Sequence, residues 1–401
     1  MEWIDITICV FALLSILGQS FLARLRHFIM ASGASIGLLL VWLKTGSIIE
    51  PMQVIPLDVI LILLGLTLFG EFILKSNLFA ILIQWVAKIC KGRMTRIYLF
   101  FSILVFVISA LLNNYQAVLL LTPALIGILS QLEGVKKYYV SILFGTVIVR
   151  SNLGCASLPI SDFPSLYMFI QGVISFQSYV PSATPLVLIA TILVIAVGVL
   201  AIHMKGRKAA SKDSMLSVAF ITSLYRGIKI DRTKLIWSSL VFIGMMVCWI
   251  KGVNPAIVTI VGLTILAIAI EKGAFLEQRI KELDASIFIF YLSLFAVIAT
   301  IQSTPLLYII ADWVSAQKDD PIMLLILFST TTTAVTAIVS AGPSTIVLLP
   351  VALKIADSYP PNMVIACFAL SICAGSSVFT FSATAGPLVQ SLSERYELKV
   401  E

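Results

Sequence analysis

Long apolar runs separated by short polar stretches set the pattern of this chain. Continuous runs lie at 3–22, 28–43, 57–74, 183–203, 235–250, 255–270 and 284–303. Each is near the roughly 20 residues that a helix needs to cross the hydrocarbon core of a bilayer. The pattern predicts an all-α polytopic membrane protein with the lipid bilayer as its surroundings. The first run resembles a signal peptide in length. No basic stretch precedes it and Arg24 and Arg26 follow it, so it reads as a retained span.

Four further stretches are irregular. Residues 97–131 hold two short runs split at Asn113-Asn114, and 321–357 hold two split at Ala341-Gly342-Pro343. A re-entrant hairpin that enters and leaves on one side fits each better than two full crossings. Such backbone is tolerated at membrane depth only when buried in protein or lining a polar cavity. Stretches 138–171 and 362–391 are too long for one straight helix, and both are interrupted. The first reads SNLGCASLPISDFP, with Gly154, Pro159 and Pro164. The second reads CAGSSVFTFSATAGP, with Gly375, Ser376, Ser377, Gly386 and Pro387. Gly and Pro weaken or remove helical hydrogen bonds. Both stretches are therefore expected to be discontinuous helices.

Composition sharpens the class. Of 401 residues 60% are hydrophobic and only 12% charged, against about 25% charged in soluble chains. There is too little polar surface for a soluble enzyme, a secreted disulfide scaffold or a disordered chain. The net charge of +7 is explained by topology rather than by nucleic acid. With the N-terminus outside, only Lys44, Lys251, Lys318 and Lys354 face outward and Arg150 lies inside the membrane. The other 22 of the 27 Lys and Arg face inward. Positive residues gather on the cytoplasmic side. The split supports nine crossings and two hairpins in the cell membrane, with a cytoplasmic C-terminus. Residues 183–203 become a connecting span and 204–234 a cytoplasmic linker. The six cysteines form no CxxC pair, so neither a disulfide framework nor a thiolate site is implied. His27 and His203 sit at span ends, so no deep histidine site and no organic cofactor is expected.

The chain also repeats itself. PLDVILILLGLTLFGEFILKSNLFAILIQWV (56–86) echoes ELDASIFIFYLSLFAVIATIQSTPLLYIIADWV (282–314). SALLNNYQAVLLLTPAL (109–125) echoes TAIVSAGPSTIVLLPVAL (336–353). Pro123 pairs with Pro350 at a spacing of 227, and Asp58 with Asp284 at 226. Five crossings separate the two aspartates, an odd number, so the copies have opposite orientation. The first repeat is 1–171 and the second 235–391. Two inverted copies, each with a hairpin and a broken helix, predict a secondary transporter with its site near the membrane midplane.

The segment SALLNNYQAVLLLTPAL followed by SNLGCASLPISDFPSL resembles the ion transporter superfamily. That group includes arsenite permeases, a class of sodium–proton antiporters, and citrate or dicarboxylate–sodium symporters. The similarity runs over 53–171 and 281–391. It implies alternating access, of the elevator type and often in a homodimer. It also implies cation and substrate binding at the hairpin tips and helix breaks. Carried over, the first site comprises Ser109, Asn113 and Asn114 with Ser151, Asn152 and Gly154. Sodium would be held at Ser109, Asn113, Asn114 and Gly154. The second comprises Ser340, Ser344 and Thr345 with Gly375, Ser376 and Ser377. Symporters of the group commonly have a Ser-Asn-Thr-like tip in each hairpin. Here the first tip lacks the following hydroxyl and the second lacks the Asn. The implied function is transport of an ion or small anion driven by sodium or protons. Sodium–proton antiport and arsenite-type permeation are the alternatives.

Arg150 is the sharpest single feature. It lies about twelve residues from the inner end of its span, roughly 18 Å at helical rise. A cation at such depth costs at least about 2.5–3.5 kcal/mol. Two readings stand: a structural pair with Asp162 across the break, or a fixed positive charge that serves anion binding. Glu71 sits one turn from Lys75 and is expected to pair with it. Asp58 and Asp284 are expected to start helices. GASIG at Gly33–Gly37 matches a nucleophile pattern, but it lies in a span with no deep histidine. Close helix packing is its expected role. Cys155 at the break is expected to be a small packing residue.

Overall fold

The computed structural model describes residues 2–22, 25–53, 55–90, 93–130, 137–204, 229–271, 285–306, 321–357 and 359–379, with Ile309, Ser382 and Gly386. Most of the linker expected at 204–234, Asp284, Thr380, Thr384 and Pro387 lie outside them. Every regular element among the described residues is a helix. Among the described residues, six helices are long and apolar enough to cross a membrane, Met94–Leu111 and Phe176–Met204 being two of them.

The chain divides into two compact units, each assembled from several stretches. One comprises 1–64, 163–183 and 280–384; the other comprises 65–162, 184–279 and 385–401. These units cut across the division into repeats 1–171 and 235–391, because a repeat records likeness of sequence and a unit records packing.

In the second unit, α4 (Leu57–Leu74) contributes its later half, followed by α5 (Leu78–Cys90), α6 (Met94–Leu111), α7 (Asn114–Ser130) and α8 (Lys137–Cys155). The N–H of Lys75 bonds the Glu71 carbonyl in the last turn of α4. Asp58 lies within the first turn of α4 rather than before it, where a carboxylate still favours the positive helix end. The helix α5 was not evident as a span, since Lys88 interrupts its apolar run. Helices α6, α7 and α8 pack against one another, and α5 covers α6 and α7.

One close approach organises this bundle. Gly154, next to last in α8, faces the backbone of α6. A Cβ there would overlap the Phe106 carbonyl oxygen, 2.9 Å from the Ser109 Cβ and 3.2 Å from the Ala110 nitrogen. The longer helix α10 (Phe176–Met204) adds its residues from Thr184 onward, and α11 (Arg232–Ile250) packs on α12 (Pro255–Glu271). The side chain of Asp231 caps α11 by accepting from the Lys234 N–H at 3.2 Å. Asn254 does the same for α12 through the N–H groups of Ala256 and Ile257.

The first unit holds α1 (Trp3–Phe21), α2 (Arg26–Thr45), the short α3 (Ile49–Gln53), α9 (Phe163–Ile170), α13 (Ala285–Gln302), α14 (Pro321–Val339), α15 (Ala341–Ala356) and α16 (Pro361–Gly375). Asp5 ties α1 to α2 through a 2.6 Å bond from the Lys44 ammonium. Gly33 lets α2 approach Ser15 of α1, and Gly37 lets it approach Thr300 of α13. The GASIG segment is thus a packing surface.

Helices α14, α15 and α16 pack mutually, as α6, α7 and α8 do. The parallel extends to atoms. A Cβ on Gly375 would lie 2.6 Å from the Thr336 Cβ and 3.1 Å from the Ala337 nitrogen, against the Thr333 carbonyl. Phe106, Ser109 and Ala110 stand 227 residues before Thr333, Thr336 and Ala337. Pro123 and Pro350 are each the tenth residue of their helices, α7 and α15.

Two glycines of α8 therefore respond oppositely to alanine. Nothing lies within 4 Å of a Cβ at Gly145, whereas one at Gly154 meets backbone. Gly145→Ala should stabilise by about 0.5–1 kcal/mol. Gly154→Ala should cost about 1–3 kcal/mol or more. Thermal unfolding in detergent checks both, and a shift of the same sign for the two would contradict the packing.

Candidate functional site

The first half of the candidate site forms where α6 and α8 end. Helix α6 stops at Leu111, and the Asn113 side chain restarts the chain as α7 by accepting from the Gln116 N–H at 2.7 Å. Asn113 is thus an N-cap. Its second lone pair remains for another donor or a cation. One residue on, Asn114 donates through Nδ2 to Asn152 Oδ1 at 3.4 Å. Ser109 donates to the Ser151 carbonyl at 2.5 Å, with its oxygen 3.0 Å from Cys155 Sγ. Ser151 turns its own hydroxyl to the Ile148 carbonyl at 2.8 Å. All of these side chains are buried.

The break in α8 is held by hydroxyls that the sequence did not single out. Ser161 bonds the Ala110 carbonyl, and Ser157 bonds the Gly154 carbonyl at 2.5 Å. Thr184 of α10 bonds the Ser157 carbonyl at 2.6 Å. Cys155 Sγ lies 3.1 Å from the Ser161 carbonyl, so the thiol packs within the turn. The only signal for Ser157 and Ser161 was their place inside the broken segment.

Ser109, Ser151, Asn152, Gly154, Asn113 and Asn114 are thereby gathered at one pair of interruptions. The cluster consists of hydroxyl, amide and backbone carbonyl groups, all uncharged. Such oxygens can replace part of the hydration shell of a small cation without a fixed counter-charge.

A second cluster, in the other unit, is built differently. Ser340 precedes α15 with φ 83°, a left-handed conformation that few L residues adopt. Ser344 and Thr345 turn back on the Ser340 and Ala341 carbonyls at 2.8 and 2.7 Å. Ser376 and Ser377 both bond the Cys373 carbonyl, at 3.0 and 2.8 Å. The Ser382 hydroxyl reaches the Gly375 carbonyl at 3.3 Å. Thr336, the counterpart of Ser109, is buried with no partner for its hydroxyl among the described residues. Phe163, first in α9, packs tilted against Phe295 and covers Gly342, whose Cβ would lie 3.6 Å from its ring.

Of the two readings of Arg150, the pair with Asp162 is not formed. The guanidinium points toward α10, where Nη1 donates to the Thr191 carbonyl at 2.8 Å. The turns between 156 and 162 run instead over the end of α6, through the Ser161 bond to Ala110. Asp162, at the end of these turns, is half-buried.

Apolar crossing helices that end at paired clusters of uncharged polar groups define a polytopic membrane transport protein. The chain belongs to the citrate transporter family, whose model matches residues 12–375. It is 24% identical to magnetosome protein MamN of Magnetospirillum gryphiswaldense over 90% of this chain and 82% of that protein. It is also 24% identical to an uncharacterised transporter of Mycobacterium bovis, over 62% of this chain and 56% of the relative. A 46 kDa membrane protein of Mycobacterium leprae is 24% identical over 76% of this chain and 70% of its own length. The chain is an integral membrane protein and a transporter of this family.

The cap at Asn113 can be separated from any ion contact. Asn113→Ala should destabilise by about 1 kcal/mol, and Asn113→Asp should restore most of that loss. Unfolding midpoints in sodium-free buffer measure it. Equal midpoints for Asn113→Ala and the parent would remove the cap.

Proposed function

We propose that the chain is a secondary active transporter that moves an ion or small anion by alternating access, coupled to sodium or protons. The observation that carries this reading is the buried cluster of Ser109, Asn113, Asn114, Ser151 and Asn152 at two adjoining helix interruptions. Interrupted helices bring polar side chains and backbone groups together at membrane depth, where a dehydrated ion needs them. The coupling cation sits there, on Ser109 Oγ and the Asn113 and Asn114 amide oxygens; the Gly154 carbonyl already accepts from the Ser157 N–H and hydroxyl and would have to give these up to join them.

The matching glycine contacts at Gly154 and Gly375, and the prolines at equal depth in α7 and α15, support two copies of one construction. In an inverted pair these copies face opposite sides of the membrane, the N-terminus lies outside and the C-terminus in the cytoplasm. The hairpins then enter from opposite faces. The family description makes citrate the first substrate to try, followed by smaller carboxylates and inorganic oxyanions.

The test is countertransport by purified protein in proteoliposomes, with sodium and pH gradients imposed separately. Uptake should depend on one gradient. Asn152→Ala should reduce it at least tenfold while the protein still inserts and folds. Parental uptake in Asn152→Ala would remove the cluster from the mechanism, and gradient-independent flux would point to a channel.

Orientation has its own check. Cysteines placed at Ser175 and Ser211 in a cysteine-free background should label from opposite sides of intact cells, Ser175→Cys from outside only. Labelling of both from one side would overturn the inverted arrangement.

A further inference from the structure

Arg150 uses only part of its bonding capacity. The residue is wholly buried, and Nη1 donates to the Thr191 carbonyl of α10 at 2.8 Å. Nε and Nη2 meet no acceptor among the described residues. Those two nitrogens form one edge of the guanidinium, with parallel N–H bonds at the spacing of two oxygens on one planar centre. The Thr191 hydroxyl, on the residue whose carbonyl holds the guanidinium, is likewise buried with no partner among the described residues. The Tyr98 hydroxyl of α6 lies beside the guanidinium, without completing a hydrogen bond to it. That hydroxyl donates to the Val194 carbonyl at 3.1 Å, and the Tyr98 ring fills the space a side chain at Gly198 would take.

Two N–H-bearing nitrogens of a buried positive charge thus have no acceptor among the described residues, and the residue that holds the guanidinium carries a buried hydroxyl that has none either. Burial of a cation without an opposite charge is unfavourable, and at membrane depth more so. An arrangement of this kind is stabilised by an anion. We infer that the Nε–Nη2 edge of Arg150, with the Thr191 hydroxyl, binds a small planar oxyanion such as a carboxylate, nitrate or bicarbonate. The position is separate from the cation cluster. Ser109 and Asn114 engage α8 through Ser151 and Asn152, while Arg150 leaves α8 toward α10. The inference concerns binding and holds whether or not transport is coupled to sodium.

The experiment is thermal unfolding of the full-length protein in detergent, in sodium gluconate at fixed sodium and ionic strength. Gluconate is replaced stepwise by formate, nitrate or chloride. Formate and nitrate should raise the midpoint saturably, as ligands of the native state do. Arg150→Lys keeps the charge without the fork and should weaken binding about tenfold. Arg150→Gln should abolish the shift, and Thr191→Val should weaken it severalfold. A saturable shift retained in Arg150→Gln, or none in the parent, overturns the site. Chloride acting as strongly as formate overturns the planar class. Should Arg150→Gln fail to fold, Thr191→Val decides, since unchanged formate affinity there overturns the proposal. Replacing sodium by N-methylglucamine should leave the formate shift in place. Its loss would assign the anion to the cation cluster instead.

Discussion

A glycine pressed against the backbone of a crossing helix is the constraint on which each bundle depends. At Gly154 the neighbour is the carbonyl of Phe106, and at Gly375 that of Thr333. In both places the next contact is the Cβ of a hydroxyl residue, Ser109 or Thr336. Any larger residue would push the helices apart, since a carbonyl engaged in its own helix cannot swing away as a side chain can. The approach sets the end of α8 against the end of α6, and only then can Ser109 reach the Ser151 carbonyl at 2.5 Å. The polar cluster is therefore a product of backbone proximity. Lipid gives no hydrophobic drive for helices to associate, so close fit through small residues is the force available.

Much of this was legible in the chain. Apolar runs near crossing length located α1, α2, α4, α10 and α13, and Asn113 marked the start of α7 because an Asn before an apolar run is a natural cap. What escaped notice follows from two physical causes. Helix α5 was missed because Lys88 gives its run the look of a polar loop, whereas a helix with one polar side needs no full apolar span. The neighbour of Arg150 was not legible, and of the two readings left open the pair with Asp162 came to mind because charge suggests charge. Asp162 is the nearest acid in sequence, but the guanidinium turns to α10 instead. A backbone carbonyl such as that of Thr191 carries no signature in sequence.

The two halves share a construction but differ in chemistry. The first presents three asparagine amides and a serine. In the second, Ser344, Thr345, Ser376 and Ser377 spend their hydroxyls on carbonyls within their own helices, the ordinary habit of such residues in membrane helices. This asymmetry matches the departure of both tips from the Ser-Asn-Thr pattern. It is also consistent with a family in which relatives at 24% identity carry descriptions as different as a magnetosome protein and an uncharacterised transporter. Common packing positions keep the framework while the lining residues diverge.

Helix α10 adds a dependence of another kind. Its 29 residues measure about 43 Å at helical rise, well beyond the roughly 30 Å of a typical acyl region. The excess must be met by inclination or by ends that protrude into the headgroups, and a bilayer of different thickness changes that balance. The carbonyls of Thr191 and Val194 that receive Arg150 and Tyr98 lie near its middle. Acyl-chain length thereby becomes a variable that bears on the most buried charge in this unit, far from any headgroup.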